Sequence, residues 1–359
     1  MYEFAVVGMG IAGLSTAIRL REYGYNVVLL GDEKSASASC AGIITLQLEE
    51  VKDILLVKES IKVINELMKK YGIDEAGVTC RGFISIEDSM EAEESAELLK
   101  KADVVFKQFD AKDASQNWPW LRISEDEIAT YTMDDLSVEA DHFIKFLIKV
   151  AREKGVDLEK DWVKEIVFGE KHKLLLQRTG EVEADVVTLC LGAWTRDFLL
   201  KNGIEIPVII LRVPAYRFKT DKEIIAFSDE VYESYWRVGV NRTIVGGGYH
   251  AEMVNDQSLF FQKSSRRFQV EAEKLLRFRL NGKIEFIEEW SGPISITPDL
   301  DPIIDNLPGY ENVFFLDGLR GYGLMKGIAL GYLLADIASG REDLERNKGY
   351  RLSRFSNLF

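Results

Sequence analysis

"AVVGMGIAGLSTAIRLREYGYNVVLLGDEK", residues 5–34, contains the pattern that decides the fold. An apolar run at 4–8 predicts a buried parallel strand, helical periodicity follows over 11–23, and 26–30 predict a second buried strand. The turn after the first strand has the glycine spacing GxGxxG, which lets the backbone approach a pyrophosphate and directs the helix N-terminus at it. We therefore expect this unit to bind a dinucleotide through Gly8, Gly10, Ile11, Ala12 and Gly13.

An acidic residue normally ends the second strand of such a unit and binds a ribose hydroxyl. Counting along the chain puts Gly31 at that place, and the acids Asp32 and Glu33 come directly after it. We expect one of the two to reach the ribose, with Asp32 preferred. The alternative is that both are solvated charges of a loop.

The bulk composition excludes several classes of protein. A net charge of -14 argues against nucleic acid as a partner, because its phosphates would be repelled. No apolar run approaches the roughly 20 residues that a membrane-spanning helix needs, and the first residues lead into a strand rather than a signal segment. Three cysteines and three histidines lie far from ligand spacing, so neither disulfides nor a metal site is expected. These features predict a cytoplasmic, metal-free protein.

Two kinds of pattern alternate along the rest of the chain. Buried strands are predicted at 182–191 and 312–317, with helices from about 143 to Gly155, at 259–280 and at 328–339. Antiparallel strands are predicted at 83–86, 104–109, 208–218, 232–238 and 243–249. We predict an α/β fold in which a Rossmann-like dinucleotide-binding domain (1–80, 135–200 and 286–359) is interleaved with an antiparallel-sheet α+β substrate-binding domain (81–134 and 201–285).

Four later stretches resemble motifs of the D-amino acid oxidase-like family of FAD-dependent oxidoreductases, of the glycine/sarcosine oxidase and D-amino acid dehydrogenase type. They are SASASCAGII (35–44), VVTLCLGAW (186–194), WSGPISITPDLDPIID (290–305) and LDGLRGYGLMKGIALGYLLAD (316–336). The last stretch holds a second glycine turn and helix more than 300 residues after the first, a distance typical of two halves that close on one long ligand. The resemblance therefore implies bound FAD rather than an exchanging NAD.

The resemblance also implies which residues contact the cofactor. The second glycine turn and the helix after it would hold the flavin ring and direct their positive end at its C2=O group, through Gly321, Gly323, Leu324, Met325 and Lys326. A solvated lysine is the alternative for Lys326. Small residues of the earlier loop would lie along the ring: Ser39, Cys40, Ala41 and Gly42. The adenine end would involve Val163, Gly192 and Trp194, although a core role is equally open for Trp194.

Cysteine-linked relatives carry the linking cysteine in the C-terminal part of the chain, whereas Cys40 lies near the start. The resemblance therefore implies that Cys40 is an inert thiol and that FAD is held non-covalently.

The substrate pocket departs from the family pattern. Relatives that oxidise amino acids bind the carboxylate with an arginine, and the alignment puts Ile294 at that position. Arg320 is the best remaining anion partner, with a surface arginine as the alternative. Tyr322, Tyr235 and Arg237 are further substrate candidates, the last two on one face of a predicted strand, and core packing is the alternative for them.

The resemblance implies an enzyme that takes a hydride from a carbon next to nitrogen in a small amino acid or secondary amine. One alternative is a dehydrogenase of 2-hydroxy acids or glycerol 3-phosphate, which the isoleucine at 294 favours. Another is a flavoprotein subunit of an electron-transfer complex. Oxygen, a quinone and a partner protein all stay open as the electron acceptor.

Overall fold

The computed structural model describes residues 1–345 and 347–357, which form two large sheets and eight α-helices. The strands are β1 (Tyr2–Val7), β2 (Val27–Leu30), β3 (Ile43–Ile44), β4 (Val78–Asp88), β5 (Phe106–Phe109), β6 (Glu127–Val138), β7 (Asp157–Glu159), β8 (Val163–Val167), β9 (His172–Leu176), β10 (Glu181–Leu189), β11 (Ile209–Thr220), β12 (Ala226–Asp229), β13 (Ser234–Gly239), β14 (Thr243–Gly248), β15 (Glu252–Met253), β16 (Ile284–Ile296), β17 (Ile303–Leu307) and β18 (Tyr310–Asp317). The helices are α1 (Ile11–Glu22), α2 (Val51–Tyr71), α3 (Ser89–Lys101), α4 (Ala111–Asn117), α5 (Ala140–Glu153), α6 (Thr195–Leu200), α7 (Arg266–Arg279) and α8 (Gly323–Ala338).

The first sheet is built on parallel strands that are buried on both faces. Its order is β17-β18-β10-β1-β2-β7, with the β8–β9 hairpin attached to β10. The strands β18, β10, β1, β2 and β7 run parallel, so their carboxyl ends lie at one edge. Both glycine turns leave from that edge, because one follows β1 and the other follows β18. This is where a ligand of an open α/β sheet binds.

The helices that follow the two glycine turns, α1 and α8, pack against each other. A side chain at Gly327 would lie 2.7 Å from the Ile11 side chain, and one at Gly331 would lie 2.6 Å from the Ala12 carbonyl oxygen. Glycine at both positions is what allows the close approach. The two ends of the chain are thereby joined at a single site.

The second sheet is ten-stranded, mainly antiparallel, and has one apolar and one polar face. Its order is β15-β11-β14-β13-β12-β4-β6-β3, with β16 on β11 and β5 on β6. Alternation sends Ile84, Ile86, Phe227 and Trp236 into an apolar core. The neighbouring residues therefore point to the opposite face. One pair, β4 with β12, is parallel.

The predicted mixed α/β architecture is confirmed, but two helix boundaries were wrong. The helix predicted at 259–280 begins only at Arg266, because the Ser265 side chain caps it by accepting a hydrogen bond from the Arg267 amide. The helix predicted to start at 328 begins at Gly323, inside the glycine turn. The division into two domains stays a prediction; β3 and most of β16 join the second sheet although they lie in ranges assigned to the first domain. No helix in the described part of the chain is long and apolar enough to cross a membrane.

Candidate functional site

A cavity of about 690 Å³ lies between the glycine turns of the first sheet and the polar face of the second. Its volume is in the range of small-molecule sites. We call one side the cofactor wall, formed by Gly10, Ile11, Ala12, Gly192, Gly321, Gly323, Leu324 and Met325. We call the other side the substrate wall, formed by Phe83, Ser85, Glu87, Ser228, Glu230 and Tyr235. Residues 39–42 line the cavity between the two walls.

Glycines shape the first turn of the cofactor wall. A Cβ atom on Gly13 would lie 1.8 Å from the Gly8 carbonyl oxygen, and one on Gly8 would lie 2.2 Å from the Cys190 carbonyl oxygen. Any side chain at either position would therefore push the turn away from the sheet. These two glycines pack strand, turn and helix together, whereas Gly10 lines the cavity itself.

Both helix N-termini on the cofactor wall fit an anionic ligand. Within the described residues, the N-cap residues Gly10 and Tyr322 make no side-chain capping hydrogen bond to α1 or α8, and neither helix has an acid in its first turn. The Ser37 hydroxyl accepts a hydrogen bond from the Ile11 amide at 3.1 Å and so supplies a polar side chain next to the turn. Unneutralised backbone N–H groups at a helix start favour phosphate groups and developing negative charge. This wall fits the pyrophosphate and ring of FAD.

The acids expected at the ribose do not line the cavity. Asp32 accepts a hydrogen bond from the Lys34 amide at 3.1 Å, and Glu33 forms an ion pair with Lys160. A side chain at Gly31 would lie 2.7 Å from the Met9 amide nitrogen, which explains why no acid occupies the usual place. Ribose contacts by Asp32 or Glu33 stay predictions.

Of the residues expected at the adenine end, one lines the cavity and two do not. Gly192 lines the cavity, while Val163 is half-buried in β8 and lies outside the cavity lining. The Trp194 ring packs edge-on against the rings of Phe260 and Trp162, with distances between ring centroids of 5.2 Å and 6.1 Å. That packing favours a structural role for Trp194.

Two side chains fix the loop of residues 39–42 against the second sheet. The Trp290 indole N–H donates a hydrogen bond to the Ser39 carbonyl oxygen at 2.7 Å, and the Arg237 Nε–H donates to the Ala41 carbonyl oxygen. The Arg237 Nη atoms contact the Glu139 carboxylate at 3.1 and 3.2 Å. Burial alone would raise the pKa of Glu139, but the hydrogen bond and charge of Arg237 lower it to about 2.

Arg237 is therefore a positioning residue rather than a substrate contact. It is buried and does not line the cavity, because Glu139 and the loop backbone use its donors. Tyr235, two residues earlier on the same face of β13, does line the cavity. Burial keeps the pKa of the Tyr235 phenol above its ordinary value, so the hydroxyl stays protonated.

A buried ion network lies behind the second glycine turn. The Lys326 ammonium is fully buried and contacts Asp53 at 2.8 Å, so it does not reach the cavity lining as the sequence suggested. Arg320 lines the cavity and contacts Asp53 at 3.0 Å and Glu49 at 3.1 Å. The Tyr322 hydroxyl, also at the cavity, donates to Glu49 at 2.8 Å. The two carboxylates, Asp53 and Glu49, therefore balance the charges of Arg320 and Lys326.

Several functional candidates were missed by reasoning from the sequence. Asp53, Glu49, Glu87 and Glu230 all belong to the cavity or to the network behind it. The helical spacing could have revealed Asp53, because it places this acid on the same buried face of α2 as Val57 and Ile61. A buried acid is unfavourable unless it has a partner, so a cation nearby could have been predicted. The two glutamates of the substrate wall carried no local signal. Ile294 lines the cavity, so an apolar residue occupies the position at which relatives carry arginine.

The chain matches a known family over most of its length. The model of the DAO family, described as FAD dependent oxidoreductase, matches residues 3–337. N-methyl-L-tryptophan oxidase from Escherichia coli O127:H6 is 24% identical over 386 residues, which cover 99% of this chain and 99% of that protein.

Solved structures share the fold over a similar extent. Glycine oxidase from Geobacillus kaustophilus superposes with a TM-score of 0.83 at 20% identity, covering 98% of each chain. L-proline dehydrogenase from P. horikoshii superposes with a TM-score of 0.85 at 20% identity, covering 99% of this chain and 98% of that one. At these identities the likeness concerns the fold.

Proposed function

The chain belongs to the family of FAD-dependent oxidoreductases, and on that premise we propose that it oxidises the CH–NH bond of a small amine or amino acid. The observation that carries this proposal is the single cavity in which a cofactor wall of glycine turns faces a polar wall with carboxylates and a tyrosine. The names of the similar proteins point the same way, because they give N-methyl-L-tryptophan, glycine and L-proline as what those proteins act on.

The reaction balances as a two-electron oxidation followed by hydrolysis. The substrate carbon loses a hydride, and the lone pair of the neutral amine nitrogen forms the C=N bond. FAD, when bound, supplies the two-electron acceptor for that hydride. Water then adds across the C=N bond and releases a carbonyl compound and a free amine.

The protein groups of the cavity have distinct parts in this scheme. The uncapped start of α8, with Gly323 and Leu324 at the cavity, would hold the flavin ring and stabilise negative charge on it. Burial raises the pKa values of Tyr235 and Tyr322, so both phenols stay protonated and do not act as bases. The proton of an incoming ammonium therefore passes to water.

The charges of the cavity favour an amine over the anionic alternatives. A 2-hydroxy acid or glycerol 3-phosphate needs a cation that is free to bind it, yet Arg320 is compensated by Glu49 and Asp53. Glu87 and Glu230 would repel these substrates because their net charge is negative, whereas the ammonium group of an amino acid offsets its carboxylate. An amine that arrives as an ammonium ion is attracted by the same groups.

We propose further that the FAD is bound non-covalently. Cys40 is the one cysteine in the loop of residues 39–42, and burial raises the pKa of its thiol to about 11. A protonated thiol is a poor nucleophile. Acid precipitation should release all of the flavin into the supernatant, whereas flavin retained on the pellet would contradict this part of the proposal.

Product analysis tests the proposed reaction. The purified protein would be incubated with D- and L-amino acids and their N-methyl derivatives, in the presence of oxygen or an artificial electron acceptor. We expect the carbonyl product and the released amine in equal amounts. Lactate, 2-hydroxyglutarate and glycerol 3-phosphate serve as controls, and turnover of these compounds alone would move the function to the hydroxy-acid alternative. Turnover with oxygen, as opposed to the artificial acceptor only, would identify an oxidase.

A further inference from the structure

The cavity carries far more acid than base. Within residues 1–345 and 347–357, its lining includes one arginine and one histidine, whereas six carboxyl groups line it: Glu49, Glu87, Glu91, Glu94, Glu230 and Asp317. Both basic side chains are already paired, since Arg320 contacts Glu49 and His250 contacts Glu271 at 2.9 Å. The acids of the substrate wall have no such compensation.

Strand pairing brings two of these acids together. The parallel pair β4 and β12 aligns Ser85 with Ser228 and Ile86 with Asp229, so Glu87 and Glu230 are the next residues in register. The Glu230 amide continues the ladder by donating to the Ile86 carbonyl oxygen at 2.9 Å. Both side chains line the cavity, on the face that also carries the two serines.

Neither glutamate has a cationic partner among the described residues. Glu87 is 4% exposed and accepts hydrogen bonds from the hydroxyls of Ser95 and Thr130. Glu230 accepts one from the Tyr249 hydroxyl at 3.1 Å. Burial and the nearby charge of Glu230 raise the pKa of Glu87 to about 6. Like charges on neighbouring strands cost stability, so neutral residues here would give a more stable fold.

Aromatic rings complete a surface suited to an organic cation. The Tyr235 and Tyr249 rings stack with centroids 5.9 Å apart beside the Glu230 carboxylate, and both residues line the cavity. Carboxylates combined with aromatic faces bind ammonium and guanidinium groups. A metal ion is a poor alternative, because the described residues form no group of three or more acids, histidines or cysteines that could hold one.

We propose that the preferred substrate carries a second cationic group, as a basic amino acid or a diamine does, and that Glu87 and Glu230 bind it. This inference rests on the proposed amine oxidation. The exposed carboxylates of Glu91 and Glu94 on α3 continue the acidic lining toward solvent, along the path of a long cationic chain.

The test compares substrates that differ in one charge. Rates of anaerobic flavin reduction would be measured for lysine against norleucine and for ornithine against norvaline, in both chiral forms and as N-methyl derivatives. The charged member of each pair should be preferred by roughly 10- to 100-fold in the ratio of the limiting reduction rate to the apparent dissociation constant, the value of one or two charge-assisted hydrogen bonds. Glu87→Gln and Glu230→Gln should each remove most of that preference by raising the apparent dissociation constants of lysine and ornithine.

Glu93→Gln is the matched control, because Glu93 is an exposed acid of α3 that does not line the cavity. It should keep the full preference. Glu230 is only half-buried, so its variant tests the inference even if Glu87→Gln folds poorly. Equal rates for charged and neutral amines, or an unchanged preference in Glu230→Gln, would overturn the inference and leave amine oxidation intact. Flavin reduction by hydroxy compounds alone would overturn both.

Discussion

The two walls of the cavity are built in opposite ways. The cofactor wall consists of glycine turns and apolar side chains at two helix starts, with no acid in either first turn among the described residues. The substrate wall consists of side chains at β4, β12 and β13 and includes two glutamates that have no cationic partner among the described residues. One wall is suited to an anionic ligand and the other to a cationic one. A cavity with two such walls can hold an anionic cofactor and an ammonium substrate at once.

The walls also differ in which substitutions they tolerate. The cofactor wall depends on the absence of side-chain atoms, so adding one methyl group should disrupt it. The substrate wall depends on charge, so removing a charge while keeping the shape should alter specificity and leave the fold. Three substitutions sharpen this comparison.

The largest effect is expected for Gly13→Ala in the cofactor wall. The added Cβ atom would lie 1.8 Å from the Gly8 carbonyl oxygen, so the turn must move and the pyrophosphate site is lost. The purified variant should contain no flavin and should unfold at a lower temperature. Gly349→Ala is the control, because nothing lies within 4 Å of a Cβ atom there. A Gly13→Ala protein with its full complement of flavin would contradict the role of this turn.

The next effect concerns the support between the walls. Arg237→Met keeps the approximate size of the side chain but leaves the buried Glu139 with Arg217, at 3.3 Å, as its remaining cation, which should cost about 3 kcal/mol of unfolding free energy, the lower end for a broken buried ion pair. The variant should also hold FAD less tightly, because the Ala41 carbonyl oxygen loses its donor. Denaturant unfolding and flavin content measure the two effects. Arg267→Met, at a site whose side chain is 80% exposed, should change stability by about 0.5 kcal/mol or less. A similar small loss for Arg237→Met would refute the account of the loop.

The smallest effect is expected at Glu87 in the substrate wall. Its pKa rises from 4.5 to about 6 on folding, so the folded state holds the proton more tightly than the unfolded state. Its contribution to stability is therefore present below pH 4.5 and is lost as the pH rises through 6, a loss of roughly 2 kcal/mol. The difference in unfolding free energy between Glu87→Gln and the parent should grow by that amount between pH 4 and 7. It should stay flat for Glu93→Gln, and a flat curve for both would mean that Glu87 is not perturbed.

The same contrast explains how far the sequence could be interpreted. The GxGxxG turn and the second glycine turn are each contiguous in sequence, and local geometry dictates their residues, so both turns could be placed at the cavity from the sequence, while their contacts with FAD stay predictions. Lys326 was misplaced, because only packing of α8 on α2 shows that it contacts Asp53. Glu87 and Glu230 are separated by more than 140 residues and become neighbours through one parallel strand pair. No local sequence pattern predicts such a strand pairing, so the substrate wall could not be derived from the sequence.

The most direct test of the account is the visible spectrum of the purified protein during anaerobic addition of amines. The account predicts a yellow protein whose flavin absorbance bleaches on addition of an amine or amino acid and does not bleach with 2-hydroxy acids. Bleaching by hydroxy acids alone would contradict the assignment of the substrate wall. A colourless protein that takes up no FAD would contradict the account at its centre.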